Sequence, residues 1–159
     1  EMVFFLEKFK FKNSLYIRFI PNSNHDLNLK NKNITNNFLI GSGKTLLISN
    51  GIICHEIFKL IKNNTNLKKK FRLFNFSFLA KDELFKQYKK FKKYKKILVI
   101  EDHLEYGSIH FRLKNLISQK NDNIAIKSIN FGNKYFKTEE EVSKIMVNMG
   151  ITEKKLLNI

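Results

Sequence analysis

Four short apolar runs, separated by residues at helical spacing, organise most of the chain; they lie at residues 45–49, 71–76, 97–100 and 124–129. The run Ile-Leu-Val-Ile at 97–100 has no polar interruption, which is typical of a strand buried on both faces. Strands that alternate with helices predict parallel pairing through right-handed crossovers. The pattern therefore predicts an α/β fold, a three-layer α/β/α arrangement around a mostly parallel sheet, from about residue 41 onwards.

The amino-terminal part has a different pattern. Residues 2–9 place apolar side chains on one helical face, and residues 15–20 are typical of a strand, which Pro21 ends. Residues 22–37 are polar and rich in asparagine, as in a linker or surface loop. Because the chain begins with Glu1, we expect it to start inside a longer protein. The predicted division is 1–22 as the end of a preceding domain, 23–40 as a linker and 41–159 as one domain.

The composition bears on partners and compartment. A net charge of +16 attracts anions, but only three of the 30 basic residues are arginine, the side chain that contacts guanine and phosphate bidentately. An excess of lysine, asparagine, isoleucine and phenylalanine is typical of an AT-rich genome. The sequence contains one cysteine, Cys54, no apolar run long enough to span a membrane and no signal-peptide pattern. We therefore expect a protein of the cytoplasm or an organelle stroma, with no membrane partner.

Two polar stretches predict loops. Gly41-Ser42-Gly43-Lys44-Thr45 looks like the end of a phosphate-binding loop, but Phe38 stands where the motif needs its first glycine, and a strand follows where the motif needs a helix. This stretch is better interpreted as a hairpin or turn that leads into the first strand. Residues 63–70 are polar and basic, and we expect a connector there.

Few residues offer chemistry by their spacing. His55-Glu56 is not a zinc motif, because Lys59 stands where a second histidine is needed, and we expect Cys54 to be buried and structural. Glu101, Asp102 and His103 directly follow the apolar run at 97–100, at the sheet edge where α/β proteins meet ligands or partners. They are candidates for an acid–base group or, as we prefer, for a dimer or domain contact.

Several segments, in order along the chain, resemble the carboxyl-terminal part of transketolase-like, thiamine-diphosphate enzymes. The resembling segments are Tyr-Ile-Arg at 16–18, Leu-Leu-Ile-Ser-Asn-Gly-Ile-Ile-Cys-His-Glu-Ile-Phe at 46–58, Glu-Asp-His at 101–103 followed by Gly107, Phe-Gly at 131–132 and the closing Gly-Ile-Thr at 150–152. The resemblance covers residues 15–159. It implies the fold of that family's carboxyl-terminal domain, preceded by the end of its pyrimidine-binding domain.

The resemblance also implies a function for the complete protein: transfer of a two-carbon ketol unit between sugar phosphates with thiamine diphosphate and Mg²⁺. Arg18 holds the position of an arginine that contacts the substrate phosphate in the family. The family's Gly-Asp-Gly segment, which holds magnesium, is missing here, so we expect this chain alone to bind no cofactor and to serve assembly. Homodimerisation, or pairing with a companion chain that carries the cofactor domains, is implied as well.

Alternatives stay open. Deoxyxylulose-phosphate synthases and the decarboxylase components of 2-oxo-acid dehydrogenases share this domain. A non-enzymatic α/β module that binds RNA is a different class of function, and residues 89–96 mix lysines with Phe91 and Tyr94 in a manner typical of such surfaces. Because Phe91 is in phase with the apolar residues before it, we expect it to pack inward, and we consider nucleic acid the less favoured partner.

Overall fold

The computed structural model describes residues 37–77, 81–130 and 142–159. One sheet is built from strands β1 (Asn37–Ile40), β2 (Thr45–Ser49), β3 (Phe71–Asn75), β4 (Lys96–Ile100) and β5 (Ala125–Ile129). Their spatial order is β1-β3-β2-β4-β5. β1 runs antiparallel to β3, and all other neighbouring strands are parallel.

Helices cover both faces of this sheet. The described helices are α1 (Gly51–Asn63), α2 (Thr65–Lys70), α3 (Lys81–Phe91), α4 (Ile109–Gln119), α5 (Val142–Asn148) and α6 (Glu153–Asn158). α1, α2, α5 and α6 pack with one set of strand side chains, which includes Leu47, Leu73 and Leu98. α3 and α4 pack with the alternate set, which includes Ile48 and Val99. The protein is therefore a three-layer α/β/α domain with a mostly parallel sheet, as the sequence predicts.

The four predicted strands are confirmed, with bounds that differ by at most one residue. The sequence also predicts helices after the Asn50-Gly51 turn and after Gly107, and the structure contains them as α1 and α4. The predicted amino-terminal helix and strand, together with Arg18 and the Phe-Gly turn at 131–132, lie outside the described residues. The division of the chain into domains at residues 22 and 40 stays a prediction.

Two stretches that were predicted as loops form regular structure. The last four residues of the predicted 23–40 linker are β1, whose Phe38 ring packs edge-on against Phe74 at a centroid distance of 5.0 Å. α2 lies within the predicted 63–70 connector: the Asn64 side chain accepts a hydrogen bond from the Leu67 amide at 3.0 Å, and Leu67 is fully buried. The sequence did not show either element, because elements this short carry too few apolar residues to show a period.

The Gly41–Thr45 stretch connects β1 to β2 and is not a hairpin, because these two strands are not neighbours. The amides of Ser42 and Gly43 donate to the carbonyls of Lys68 and Phe71 at 3.0 and 3.1 Å. A Cβ atom on Gly41 would lie 2.1 Å from the Phe71 oxygen, and one on Gly43 would lie 2.0 Å from Lys70 backbone atoms. The glycines therefore allow this turn to pack against the start of β3.

Burial of β4 on both faces makes the interior intolerant of charge. Val99 is fully buried, whereas Lys96 at the start of the same strand is exposed. Val99→Asp should unfold the domain, because an unpaired buried carboxylate costs more than the ~5–15 kcal/mol stability of a typical domain can readily absorb. Circular dichroism with urea titration measures this. Lys96→Asp, at the exposed end of the strand, should retain the cooperative unfolding transition. An equal loss of stability in both variants would contradict the burial of β4 on both faces.

Candidate functional site at the carboxyl edge of the sheet

The strand order defines a crevice between β2 and β4. Counting only the parallel strands, the chain builds β2, places β3 on one side of it, and then returns to place β4 on the other side and β5 beyond β4. Helices that leave the carboxyl ends of β2 and β4 therefore lie on opposite faces, as α1 and α4 do. In open α/β sheets, ligands bind at such a reversal point, outside the carboxyl ends of the strands.

Buried polar side chains are concentrated at this edge. Five of the six buried polar residues in the described part of the chain follow or end a strand there, and Gln87 in α3 is the exception; the five are Ser49, Asn50, Asn75, Glu101 and Ser108. Residues in the middle of β2 and β4 are apolar on both faces. Polar side chains are thus absent from the middle of β2 and β4, and the buried ones lie mainly at the carboxyl edge, beside the crevice.

Glu101 fastens the end of β4 to the start of α4. Its side chain is fully buried; Oε2 accepts the Ile109 amide hydrogen at 2.8 Å and Oε1 accepts the His110 amide hydrogen at 3.1 Å. Ser108 Oγ accepts from the Phe111 amide at 3.0 Å. The first turn of α4 therefore has its amide donors satisfied by protein atoms, and the negative carboxylate lies at the positive end of the helix dipole.

Burial raises the pKa of the Glu101 carboxyl above its ordinary value, although the two backbone hydrogen bonds and nearby His103 act in the opposite direction. The cause is desolvation, which disfavours the charged form. A carboxyl that is both buried and engaged by two amides is fixed in orientation. Its observed contacts are those of a helix cap.

Asp102 and His103 lie in the loop between β4 and α4, where both are partly exposed. His103 Nδ1 is 4.0 Å from Asp102 Oδ1, an ion pair only when the imidazole is protonated. His110, in the first turn of α4, is half-buried; burial, and then Lys114, lower the pKa of its imidazole, and Glu105 opposes them. The structure thus brings the three predicted residues to one edge, with Glu101 fully buried, the Asp102 side chain 12 % exposed and the His103 side chain 36 % exposed. Whether they form an interface or an acid–base group stays a prediction.

An aromatic pair at this edge was not anticipated from the sequence. Tyr106 is 79 % exposed and its ring lies 5.9 Å from that of Phe111, which is itself 37 % exposed. The helical spacing of Phe111, Leu113 and Ile117 in the sequence predicts one shared apolar face, and of the three, Leu113 and Ile117 are buried. Phe111 lies outside that face, so the signal that could have found the pair was its offset from the buried stripe.

The other sequence candidates lie elsewhere. The Gly41–Thr45 turn precedes β2 and is therefore at the opposite, amino edge, where its backbone bonds β3 and α2. Cys54 is buried in α1, as expected. Phe91 and Tyr94 are also buried, so neither is available for stacking on a nucleic-acid base, while the lysines between residues 89 and 96 are exposed.

The described residues show no group of three or more His, Cys, Asp or Glu side chains that could hold a metal ion. None of the helices in the described ranges combines the length and hydrophobicity needed to cross a lipid bilayer. A depression of about 300 Å³ is lined by Ser143, Lys144, Val147 and Asn148, all on α5, and it belongs to a different part of the surface.

Comparison with known proteins supports the fold. No protein-family model and no curated protein sequence matches the chain. A solved structure described as "Split gene transketolase, inactive beta4 tetramer" is similar, with a TM-score of 0.58 and 12 % identity over 77 % of this chain. The match covers 40 % of that protein's own chain. At this identity the likeness shows a transketolase-like fold.

Removing the Glu101 cap should destabilise the domain. Glu101→Ala leaves two amides of α4 without acceptors, which should lower the free energy of unfolding by about 2–4 kcal/mol. Urea denaturation followed by circular dichroism measures the loss. Glu105→Ala removes an exposed acid from the same loop and should change stability by less than about 0.5 kcal/mol. Similar losses in the two variants would contradict the cap.

The raised pKa of Glu101 also predicts a pH dependence. A carboxyl whose pKa is higher in the folded than in the unfolded state binds more protons when folded, so its contribution to stability falls as pH rises through that interval. The difference in unfolding free energy between the wild type and Glu101→Gln should therefore shift in favour of the wild type as pH is lowered from neutral towards the ordinary value of 4.5. Denaturation curves at several pH values measure the slope; the opposite slope would mean that the amide bonds outweigh desolvation.

Proposed function

We propose that this chain is the carboxyl-terminal portion of a transketolase-like enzyme that transfers a two-carbon ketol unit between sugar phosphates, and that this portion serves assembly. The observation that supports the proposal most directly is the correspondence between the resembling segments and the fold. Three of those segments form β2 with α1, the β4–α4 junction, and the turn into α6, in a domain whose fold is transketolase-like.

The described residues do not fit the family's cofactor. Thiamine diphosphate is held through Mg²⁺ in these enzymes, and magnesium requires oxygen ligands from carboxylates together with the diphosphate. The chain has no Gly-Asp pair, and its described part has no cluster of acidic side chains suited to a metal. We therefore assign no chemical step through the cofactor to this chain. In the proposal, thiamine diphosphate and Mg²⁺ bind to another part of the complete protein.

The arrangement of the carboxyl edge supports a role in assembly. Glu101 is occupied by the two amides of α4, whereas His103 and Tyr106 present a polar and an aromatic group at the surface. Exposed aromatic side chains beside charged ones are typical of protein contact surfaces. The proposal includes a homodimer, or a pair with a companion chain, in the cytoplasm or an organelle stroma.

An activity assay on the complete protein tests this function. Ketol transfer from a ketose phosphate to an aldose phosphate should require thiamine diphosphate and Mg²⁺, and should be lost when the part described here is deleted. Synthesis of deoxyxylulose phosphate, or decarboxylation of a 2-oxo acid, in place of ketol transfer would contradict the proposal and assign one of the sibling reactions. Light scattering that shows a monomer for the complete protein would contradict the assembly role.

Arg18, outside the described residues, provides the sharper prediction. In the complete enzyme, Arg18→Ala should raise KM for phosphorylated substrates by about tenfold or more, because it removes a charge-assisted bond that forms in ground and transition states alike. KM for an unphosphorylated substrate should change little. Lys90→Ala removes one positive charge from the exposed surface of α3 and controls for general electrostatics. Equal losses on the two substrate types would remove Arg18 from the phosphate site.

A further inference from the structure

Two of the helices that begin at the carboxyl edge of the sheet, α1 and α4, differ in what their first amides contact. α4 is closed by Glu101 and Ser108, as described above. α1 is 13 residues long, has no acidic residue in its first turn, and its N-cap Asn50 makes no side-chain hydrogen bond to it. The Cys54 amide donates to the Asn50 carbonyl at 3.2 Å. No hydrogen bond within the described part of the chain engages the amides of Gly51, Ile52 and Ile53.

Two buried polar side chains beside this helix end also lack partners. Ser49 is fully buried and Asn50 is 9 % exposed; neither Ser49 Oγ nor Asn50 Oδ1 has a hydrogen-bond partner among the described residues. Buried polar atoms are almost always paired with protein, water or a ligand. Two such atoms on consecutive residues, at the end of a central strand, therefore leave hydrogen-bonding positions that the described part of the chain does not fill.

The direction of these side chains follows from the alternation along β2. Leu47 packs in the core cluster with α1, and Ser49, two residues further on, lies on the same face of the sheet. The Ser49 hydroxyl is thus on the side of the sheet that α1 covers, within two residues of the unpaired amides. Glu101 is in phase with Val99, on the opposite face, and its carboxylate is occupied by α4.

The turn from β2 into α1 is open to solvent on the Gly51 side. Gly51 has a φ of +56°, and a Cβ atom built on it would meet nothing within 4 Å. The space lies at the β2 side of the β2–β4 crevice, where the strand order reverses. A positive φ at Gly51 turns the chain sharply from strand to helix and keeps side-chain atoms away from the first amides.

We infer that the β2–α1 junction, formed by Ser49, Asn50 and the first turn of α1 (Gly51–Ile53), binds a phosphate-type oxyanion. Amides at a helix amino terminus donate to anionic oxygens, and the helix dipole favours the negative charge. The Ser49 hydroxyl donates to the same group, and the Asn50 carboxamide does so after a half-turn that brings its NH₂ group inward. This site is independent of the proposed function.

Titration of the purified chain with inorganic phosphate at constant ionic strength tests the site by amide-resolved NMR. The resonances of Gly51, Ile52 and Ile53 should shift along a saturating curve. Those of Ile109 and His110 should stay in place, because their amides already donate to Glu101. Shifts that spread over the lysine-bearing helices without saturation would overturn the proposal.

Two substitutions distinguish phosphate binding at the β2–α1 junction from the general attraction of phosphate to a basic protein. Ser49→Ala should weaken phosphate binding by about tenfold, since it removes a hydrogen bond to a charged group. Asn50→Asp places a carboxylate at the N-cap, so it should raise the thermal midpoint of unfolding in phosphate-free buffer. It should also abolish the increase in that midpoint that phosphate binding produces in the wild type. Lys90→Gln, on exposed α3, changes net charge by the same amount as Asn50→Asp and should leave the saturable shift intact.

The same titration with acetate distinguishes phosphate from a carboxylate ligand. Phosphate offers more oxygen acceptors and a higher charge, so it should bind at lower concentration than acetate. Equal affinities would overturn the assignment to phosphate. A saturable shift that survives both Ser49→Ala and Asn50→Asp would overturn the assignment to the β2–α1 junction.

Discussion

The structure depends on the burial of its central strands from both sides. β2 and β4 are covered by α1 and its neighbours on one face and by α3 and α4 on the other, so successive residues such as Leu46, Leu47 and Ile48 are all fully buried. No polar side chain is tolerated in the middle of these strands without a partner. Polar groups that the protein needs must therefore lie where the strands end.

This constraint explains why the two carboxyl ends of β2 and β4 resemble each other in position and differ in chemistry. β2 passes through Asn50 into α1 and β4 passes through the loop at 101–108 into α4, so each strand leads to a helix amino terminus at the same edge. Glu101 directly follows β4, and its carboxylate accepts hydrogen bonds from two amides of α4, so it links the strand to the helix. β2 supplies Ser49 and Asn50, which carry no charge and do not bond the amides of α1. The first amides of α4 are bonded by the protein itself, whereas those of α1 are the amides that we propose bind a ligand.

Many of the described lysines lie at the amino edge of the sheet, opposite the edge that carries Glu101 and Ser49. Lys44, Lys70 and Lys95 directly precede β2, β3 and β4, at the amino edge, and lysines also occupy the last turns of α2 and α3. Cations at the carboxyl end of a helix interact favourably with its dipole. Because the neighbouring Phe91 and Tyr94 are buried, this surface offers charge without stacking groups. Helix electrostatics therefore accounts for the lysines in the last turns of α2 and α3.

The sequence by itself determined the layers and the strands, because continuous apolar runs and helical periods are local signals. It also placed Glu101, Asp102 and His103 at a strand end and predicted Cys54 and Phe91 as buried, since each follows from the residues beside it. The sequence missed β1 and α2, because four- and six-residue elements show no period. Only the tertiary structure decided the strand order, since pairing depends on contacts between residues far apart in the chain. That order brings Ser49 beside Ile100 and sets Glu101 just beyond it. It also buries Ser49 and Asn50 at the point where the strand order reverses, and the sequence alone did not show that their side-chain oxygens would be buried there without partners among the described residues.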